Sequence, residues 1–239
     1  GKLSQLLYQY TYDVVKELID EGLTPEIVQV GNEINAMLLQ QGSPTWPIDW
    51  TRNVAIINKG IQAVRDVSKE TESDIEVMLH IAQPENALSW FRDATQNGVT
   101  DFDWIGLSYY PKWSKYTLQD VDEPLRELMS THNRKLMIVE TGYPYTLNNI
   151  DAANNVLGSD ALVPGFSATQ QGQLDFITAL TNKTKAAGGS GVIYWEPAWV
   201  STNCKTLWAT GSHWDNATLF DTGGKPTLGI RFYNKSLNK

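Results

Sequence analysis

Two carboxylates stand where this chain could do chemistry. Glu33 closes the apolar run Ile27-Val28-Gln29-Val30-Gly31-Asn32-Glu33, and Glu140 closes Leu136-Met137-Ile138-Val139-Glu140. Each run has the length and apolarity of a buried strand, so each carboxylate falls where a strand exits and the chain turns. In parallel α/β proteins that end of the strand is where active sites are built. A pair of carboxyl groups suits glycoside hydrolysis: one protonates the leaving oxygen, the other attacks the anomeric carbon or activates water. A separation of about 5–5.5 Å would mean retention through a covalent intermediate, and roughly 6.5–9.5 Å would mean inversion. An ionised neighbour keeps an acid protonated, and loss of that charge on ester formation frees the same group to act as base. The competing reading is two strand-end carboxylates paired with Lys or Arg, or capping helices. Two of them at matched exits, with Asn32 before one and Trp195-Glu196 at a third exit, favour the chemical reading.

Other chemistries lack their residues. The chain has no G-x-G-x-x-G, no G-x-x-x-x-G-K and no G-x-S-x-G. Three histidines, His80, His132 and His213, are too widely spaced for a zinc motif, so no metal is assigned to the catalytic pair. Cys204 is the lone cysteine and leaves no internal disulfide. A net charge of −8 and the lack of a basic cluster argue against nucleic acid and fit a neutral ligand. No apolar run is long enough to span a membrane, and no signal peptide is visible at Gly1-Lys2-Leu3-Ser4. Of nine tryptophans, Trp46, Trp50, Trp113, Trp195, Trp199, Trp208 and Trp214 fall at or after strand ends, whereas Trp90 and Trp104 do not. Indole faces in such loops suit sugar rings; packing loops together is the alternative use.

The elements that must position these groups follow from periodicity and punctuation. A helix is expected over 2–21, with Leu3, Leu6, Leu7, Tyr10, Val14 and Leu18 on one stripe. Strands are expected at 27–32, 75–81, 102–109, 135–140 and 191–195. Helices are expected at 51–69, 84–97, 117–132 (Thr117 as N-cap) and 168–187, with a short one near 226–234. The pattern is a helix followed by five βα units, with strands apolar on both faces. A doubly wound open sheet and a (β/α)8 barrel are both open on this pattern. A barrel would need three further βα units at the N-terminus.

Several segments together resemble one family. They are Gly31-Asn32-Glu33-Ile34-Asn35, Ser108-Tyr109-Tyr110-Pro111, Val139-Glu140-Thr141-Gly142-Tyr143-Pro144 and Tyr194-Trp195-Glu196-Pro197-Ala198-Trp199. Tyr10 to Val15 and the tail from Gly211 to Asp221 join them. The resemblance is to glycoside hydrolase family 53, the endo-β-1,4-galactanases acting on arabinogalactan type I, and it covers essentially the whole chain. It implies a (β/α)8 TIM barrel, of which residues 1–239 would be a single catalytic domain carrying the last five βα units. The first three units, which supply an Arg and a His-and-Trp segment in the family, have no counterpart here. A complementary N-terminal piece is therefore an expected partner, besides β-1,4-galactan itself.

The resemblance also implies roles. Glu33 is the acid/base and Glu140 the nucleophile of a retaining reaction. Asn32 would bond the sugar 2-hydroxyl. Trp195 would floor the subsite at the cleaved bond, and Trp113 and Trp199 would be platforms for further units. Tyr109 or Tyr110 would orient Glu140, with Tyr110 the substrate-side candidate, and His80 matches a family histidine. No cofactor is required. Some bacterial members bind calcium near loop 146–160, where Asp151, Asn154, Asn155 and Asp160 are candidate ligands. A plant-wall substrate places the protein outside the cell, in a periplasm or at the cell surface. The rival functions are a non-catalytic galactan-binding protein and a relative acting on β-mannan or β-glucan.

Overall fold

The computed structural model describes residues 1–207 and 210–234; Trp208, one of the strand-exit tryptophans, lies outside them. The elements in order are α1 (Lys2–Asp20), β1 (Ile27–Gln29), α2 (Trp50–Glu70), β2 (Glu76–Ala82), α3 (Pro84–Gln96), β3 (Trp104–Ser108), α4 (Asp122–His132), β4 (Lys135–Glu140) and α5 (Gln170–Ala186). Short 3-10 turns cover Ser159–Ala161 and Leu228–Tyr233. The chain divides into two compact units, Gly1–Ser108 with Glu127–Leu136, and Tyr109–Arg126 with Met137–Lys239.

In the first unit β1, β2 and β3 pair in parallel, in that order, and β4 starts beside β3, where Lys135 N–H donates to Asp103 O. Val77, Leu79 and Ile81 of β2 and Ile105 and Leu107 of β3 are fully buried, as strands covered on both faces require. Helix α3 packs against both strands, and Ile57, Ile61, Val64 and Val67 form the buried face of α2 at helical spacing. Helix α2 starts at Asp49, whose carboxylate accepts from Arg52 N–H at 3.1 Å, and α3 starts on Pro84. At the strand entrances Arg65 of α2 pairs with Asp101 (2.9 Å) and Asp103 (2.8 Å). Glu76 there accepts from Trp104 Nε1 (2.6 Å) and pairs with Lys135 (2.5 Å). This end is fastened by charge, which leaves the opposite, exit end for function.

In the second unit α5 packs against the 3-10 turn Leu228–Tyr233 and against the loop at Tyr143. Thr169 caps α5 by accepting from Gly172 N–H (3.0 Å), and Phe176, Ile177 and Leu180 are buried. Tyr194 is buried as well. Its hydroxyl donates to Ala217 O (2.6 Å) and receives Tyr143 N–H (2.9 Å), while Gln173 Nε2 donates to Tyr143 O and Thr218 O. That network pins the tail segment around Ala217.

Three expected elements differ. The first strand stops at Gln29, because Gly31 (φ 84°) and Glu33 (φ 45°) turn the backbone out of the extended region. The expected strand at 191–195 is reduced to a bridge between Ile138 and Val192. Ile138 O accepts from Ile193 N–H and Thr141 O from Trp195 N–H, three residues on one side against two on the other, which breaks the ladder like a bulge. Helix α4 begins at Asp122, not at Thr117. Thr117 enters a turn whose N–H and hydroxyl both donate to Asp120 Oδ1 (2.6 and 2.7 Å).

Candidate active site

The first unit builds the surroundings of Glu33. The chain leaving β1 stays on β2: Val30 N–H donates to Met78 O (2.9 Å) and Ile34 N–H to His80 O (3.0 Å). Asn35 clamps it with two bonds to one residue, Nδ2 to Ala82 O (2.9 Å) and Ala82 N–H to Oδ1 (2.8 Å). Gly31 is needed for close approach, since a Cβ there would lie 2.6 Å from Ile34 Cγ2. Held in this way, Glu33 occupies the left-handed region, which is costly for a residue with a side chain and is characteristic of functional sites.

Around Glu33 the polar groups close a ring. Its N–H points at His80 Nδ1 (3.4 Å), His80 Nε2 lies 2.9 Å from Ser108 Oγ, and Ser108 Oγ donates to Glu33 Oε1 (2.6 Å). With Nδ1 accepting, the ring proton is on Nε2, which donates to Ser108 and turns the serine proton onto Glu33. His80 and Ser108 are both fully buried, and burial holds the His80 imidazole down at about 4. His80 therefore brings no charge to the ring. Oε1 is occupied as an acceptor, while Oε2 has no partner among the described residues. Asn32 is exposed, and Gln29 Nε2 reaches its Oδ1 at 3.4 Å.

The second unit builds the surroundings of Glu140. Tyr109 N–H donates to Glu140 O (2.9 Å), and Thr141 Oγ1 to Tyr109 O (2.8 Å), so the two strand exits are tied residue to residue. The Tyr110 hydroxyl reaches Glu140 Oε2 at 3.4 Å, whereas the Tyr109 hydroxyl turns away to Tyr116 O (3.1 Å). Of the two tyrosines, Tyr110 is the one beside the carboxylate. From it runs a chain of aromatic contacts: Trp113 at 5.3 Å and Trp214 at 5.8 Å from Tyr110, Trp195 at 4.8 Å from Trp214, and Trp199 at 5.5 Å from Trp195. Trp214 is buried among Leu157, Ala161 and Ala217 and supports Trp195 from beneath, while Trp113 and Trp199 are exposed. Gly142 admits Trp214, since a Cβ there would sit 2.4 Å from its Cζ2.

Sequence reading missed Ser108 and Asp215 as site residues. Ser108 stood in a quoted motif, but a serine in a strand gives no local sign of what lies across the sheet. Asp215 is 2% exposed; no well-aligned hydrogen bond reaches its carboxylate oxygens among the described residues, although the Asn155 and Ser201 side chains lie against it, and Asn216 Oδ1 is buried without a partner. Burial pushes the Asp215 carboxyl up, the Asn155 and Ser201 side chains pull it the other way, and the nearby Asp151 adds to the push. Burial opposes ionisation of Asp151 too, but the N–H groups of Ala153, Ser212 and Thr202 outweigh it and hold its carboxyl below the usual range. Asp160, expected beside Asp151, instead pairs with Lys112 at 2.8 Å.

Comparison with known proteins agrees with this construction. The family model described as glycosyl hydrolase family 53 matches residues 1–233. The chain is 52% identical over 230 residues to an arabinogalactan endo-beta-1,4-galactanase of Cellvibrio japonicus, covering 94% of this chain and 60% of that one. It is 33% identical over 263 residues to an endo-beta-1,4-galactanase of Bacillus subtilis, covering 95% and 58%. Among solved structures, the GH53 catalytic domain of Ignisphaera aggregans superposes with a TM-score of 0.84 at 29% identity, over 97% of this chain and 64% of that one. The chain thus spans about 60% of the length of the curated relatives it matches.

Proposed function

The chain belongs to glycosyl hydrolase family 53, and from that premise we propose that it carries the catalytic residues for endo-hydrolysis of β-1,4-galactosidic bonds with retention of configuration. The observation that carries the reading is the ring on Glu33. Because Ser108 donates to Oε1, an acid proton on Glu33 belongs on Oε2. That oxygen delivers it to the glycosidic oxygen as the bond to the anomeric carbon breaks. Glu140 attacks the same carbon from the other face, forming a glycosyl ester, with Tyr110 steadying its carboxylate. Water then enters, Glu33 takes its proton back, and the ester carbon–oxygen bond opens to release sugar and free Glu140. Asn32 bonds the 2-hydroxyl, and Trp195, Trp113 and Trp199 carry galactosyl rings on their faces.

Three further parts belong to this reading. Asp151 and Asp215 would hold a calcium ion, an oxygen-seeking cation that would neutralise the buried Asp215 and tie loop 146–160 to the tail; the burial of Asp215 beside a second carboxylate, Asp151, supports it. Preceding βα units would complete a barrel, consistent with the share of each relative that the chain spans. The polymer substrate implies action outside the cell, and no helix among the described residues is long and apolar enough to cross a membrane.

The deciding experiment is reducing-end release from β-1,4-galactan, with Glu140→Gln as blank and β-mannan and β-glucan as comparison polymers. Release from galactan, lost in the blank, is expected. Galactan binding without release would mean a binding protein, and preferred release from mannan or glucan would move the substrate.

A further inference from the structure

The first unit carries an aromatic pocket that the bond-breaking residues do not use. It lies between the loop that follows Glu33 and helix α3, has a volume of about 190 Å³, and is lined by Trp46, Trp50, Trp90 and polar Asn35, Asn86 and Asp93. Trp90 is its buried floor, braced edge-to-face by Trp50 (5.6 Å) and Phe91 (5.0 Å). The Trp90 Nε1 has no hydrogen-bond partner among the described residues. Trp46 is the wall, and it is 65% exposed. Standing open to water beside the buried Trp90, its indole presents a flat apolar face to a ligand.

The lining selects the ligand. A flat indole face beside amide and carboxylate groups matches a neutral sugar ring, apolar on one face and hydroxylated at its edge. The charged member of the lining is Asp93, whose carboxylate is already paired with Arg92 at 2.9 Å, and no Lys or Arg among the described residues lines the pocket to hold an anionic ligand. The position selects the place on the polymer. Asn35 lines the pocket and is two residues beyond Glu33, at most about 7 Å of extended chain away. Glu33 protonates the leaving oxygen in the proposed reaction, so the sugars nearest its loop belong to the leaving half of the chain. We propose that the Trp46–Trp90 pocket is a second galactosyl-binding site, which grips the leaving half of the polymer beyond the cleaved bond. This rests on the galactanase reading of Glu33 and Glu140.

The test uses the full-length protein and compares Trp46→Ala and Trp46→Phe with wild type on long β-1,4-galactan and on a short aryl galactobioside whose leaving group is the aryl alone. Migration through galactan-loaded native gels, in the Glu140→Gln background, reads binding without turnover. Trp46→Ala is expected to raise KM on the polymer roughly 3–10-fold, to weaken retardation in the gel, and to leave the aryl substrate unchanged. Trp46→Phe, which keeps a flat face, should restore most of the loss. Polymer KM and retardation unchanged in Trp46→Ala overturn the proposal while the galactanase reading stands. An equal loss on the aryl substrate also overturns it, because Trp46 would then act through the Glu33 loop. Wild-type protein that neither cleaves galactan nor is retarded by it removes the galactanase reading and this proposal together.

Discussion

Ser108 and His80 show what a buried polar residue contributes when it touches a reacting group rather than the substrate. Ser108 occupies one oxygen of Glu33 and thereby directs the catalytic proton to the other. Ser108→Ala leaves Oε1 without its donor, and the carboxyl group is then free to carry its proton on either oxygen. Turnover is expected to fall roughly 10–100-fold, the weight of one hydrogen bond to a charged group. The fall should be steep on galactan and shallow on aryl substrates with good leaving groups, which need little acid assistance. An equal fall on both would mean a general loss of structure. His80 makes a different prediction. Its folded value of about 4 lies below the unfolded 6.5, so the unfolded chain binds the extra proton. The stability from keeping His80 neutral is complete above pH 6.5 and is lost as pH falls toward 4, up to about 3 kcal/mol. Urea unfolding at pH 7, 5.5 and 4 should show that slope in wild type and a flatter one in His80→Asn. The carboxylates and the aromatics at strand exits were legible because strand runs and motifs are local in sequence. Ser108 and Asp215 were not, because a hydrogen bond from β3 to the exit of β1, or the burial of one tail carboxylate, is decided by tertiary packing.

At the scale of elements, most helices and strands could be read from apolar spacing and Pro84, which are local signals, whereas the Asp49 and Thr169 caps emerged only with the fold. The misread ends are those where a side chain or a neighbouring strand overrides the local pattern. Thr117 entered an Asp120 turn, and 191–195 met β4 out of step. Glycines mark where two elements must touch, and Gly142 is the sharpest case. Gly142→Ala drives a methyl group into Trp214, which lies under Trp195. A loss of about 1–3 kcal/mol is expected from overpacking, with an altered near-ultraviolet tryptophan signal. An unchanged melting temperature and spectrum would mean that Trp214 has room to yield. The calcium reading is tested on the loop and tail segments. Calcium should raise the melting temperature by several degrees and a chelator should reverse it, while Asp215→Asn should abolish the response. If no ion binds, Asp215→Asn should instead stabilise the protein at neutral pH, because it removes a carboxylate whose charge burial and the neighbouring Asp151 both oppose.

For the whole molecule, the informative surface is α1. The helix meets α2 through Val15, Tyr8 and Tyr12, the two tyrosines donating to Asp66 and Glu70. Of the stripe expected from sequence, Leu7 is half-buried and faces Gly60 of α2, whereas Leu3, Leu6, Tyr10, Val14 and Leu18 are exposed. The spacing grouped five of these six residues, yet periodicity says which residues share a face and not what covers it. Beside it, β1 is the first strand in sheet order, and no described strand pairs with its outer edge. An apolar stripe and an open strand edge in the same unit form a surface that water does not favour. The 239-residue polypeptide by itself is therefore expected to associate, giving a light-scattering mass above 26.8 kDa that rises with concentration. Charges placed on the stripe, as in Leu6→Glu with Val14→Lys, should return it to the monomer without touching Glu33 or Glu140. Supplying the corresponding N-terminal units of a family member should do the same and raise galactan cleavage, because the added chain would cover that surface. A monodisperse 26.8 kDa monomer that unfolds in one cooperative step and cleaves galactan at full rate would show that no further units are needed.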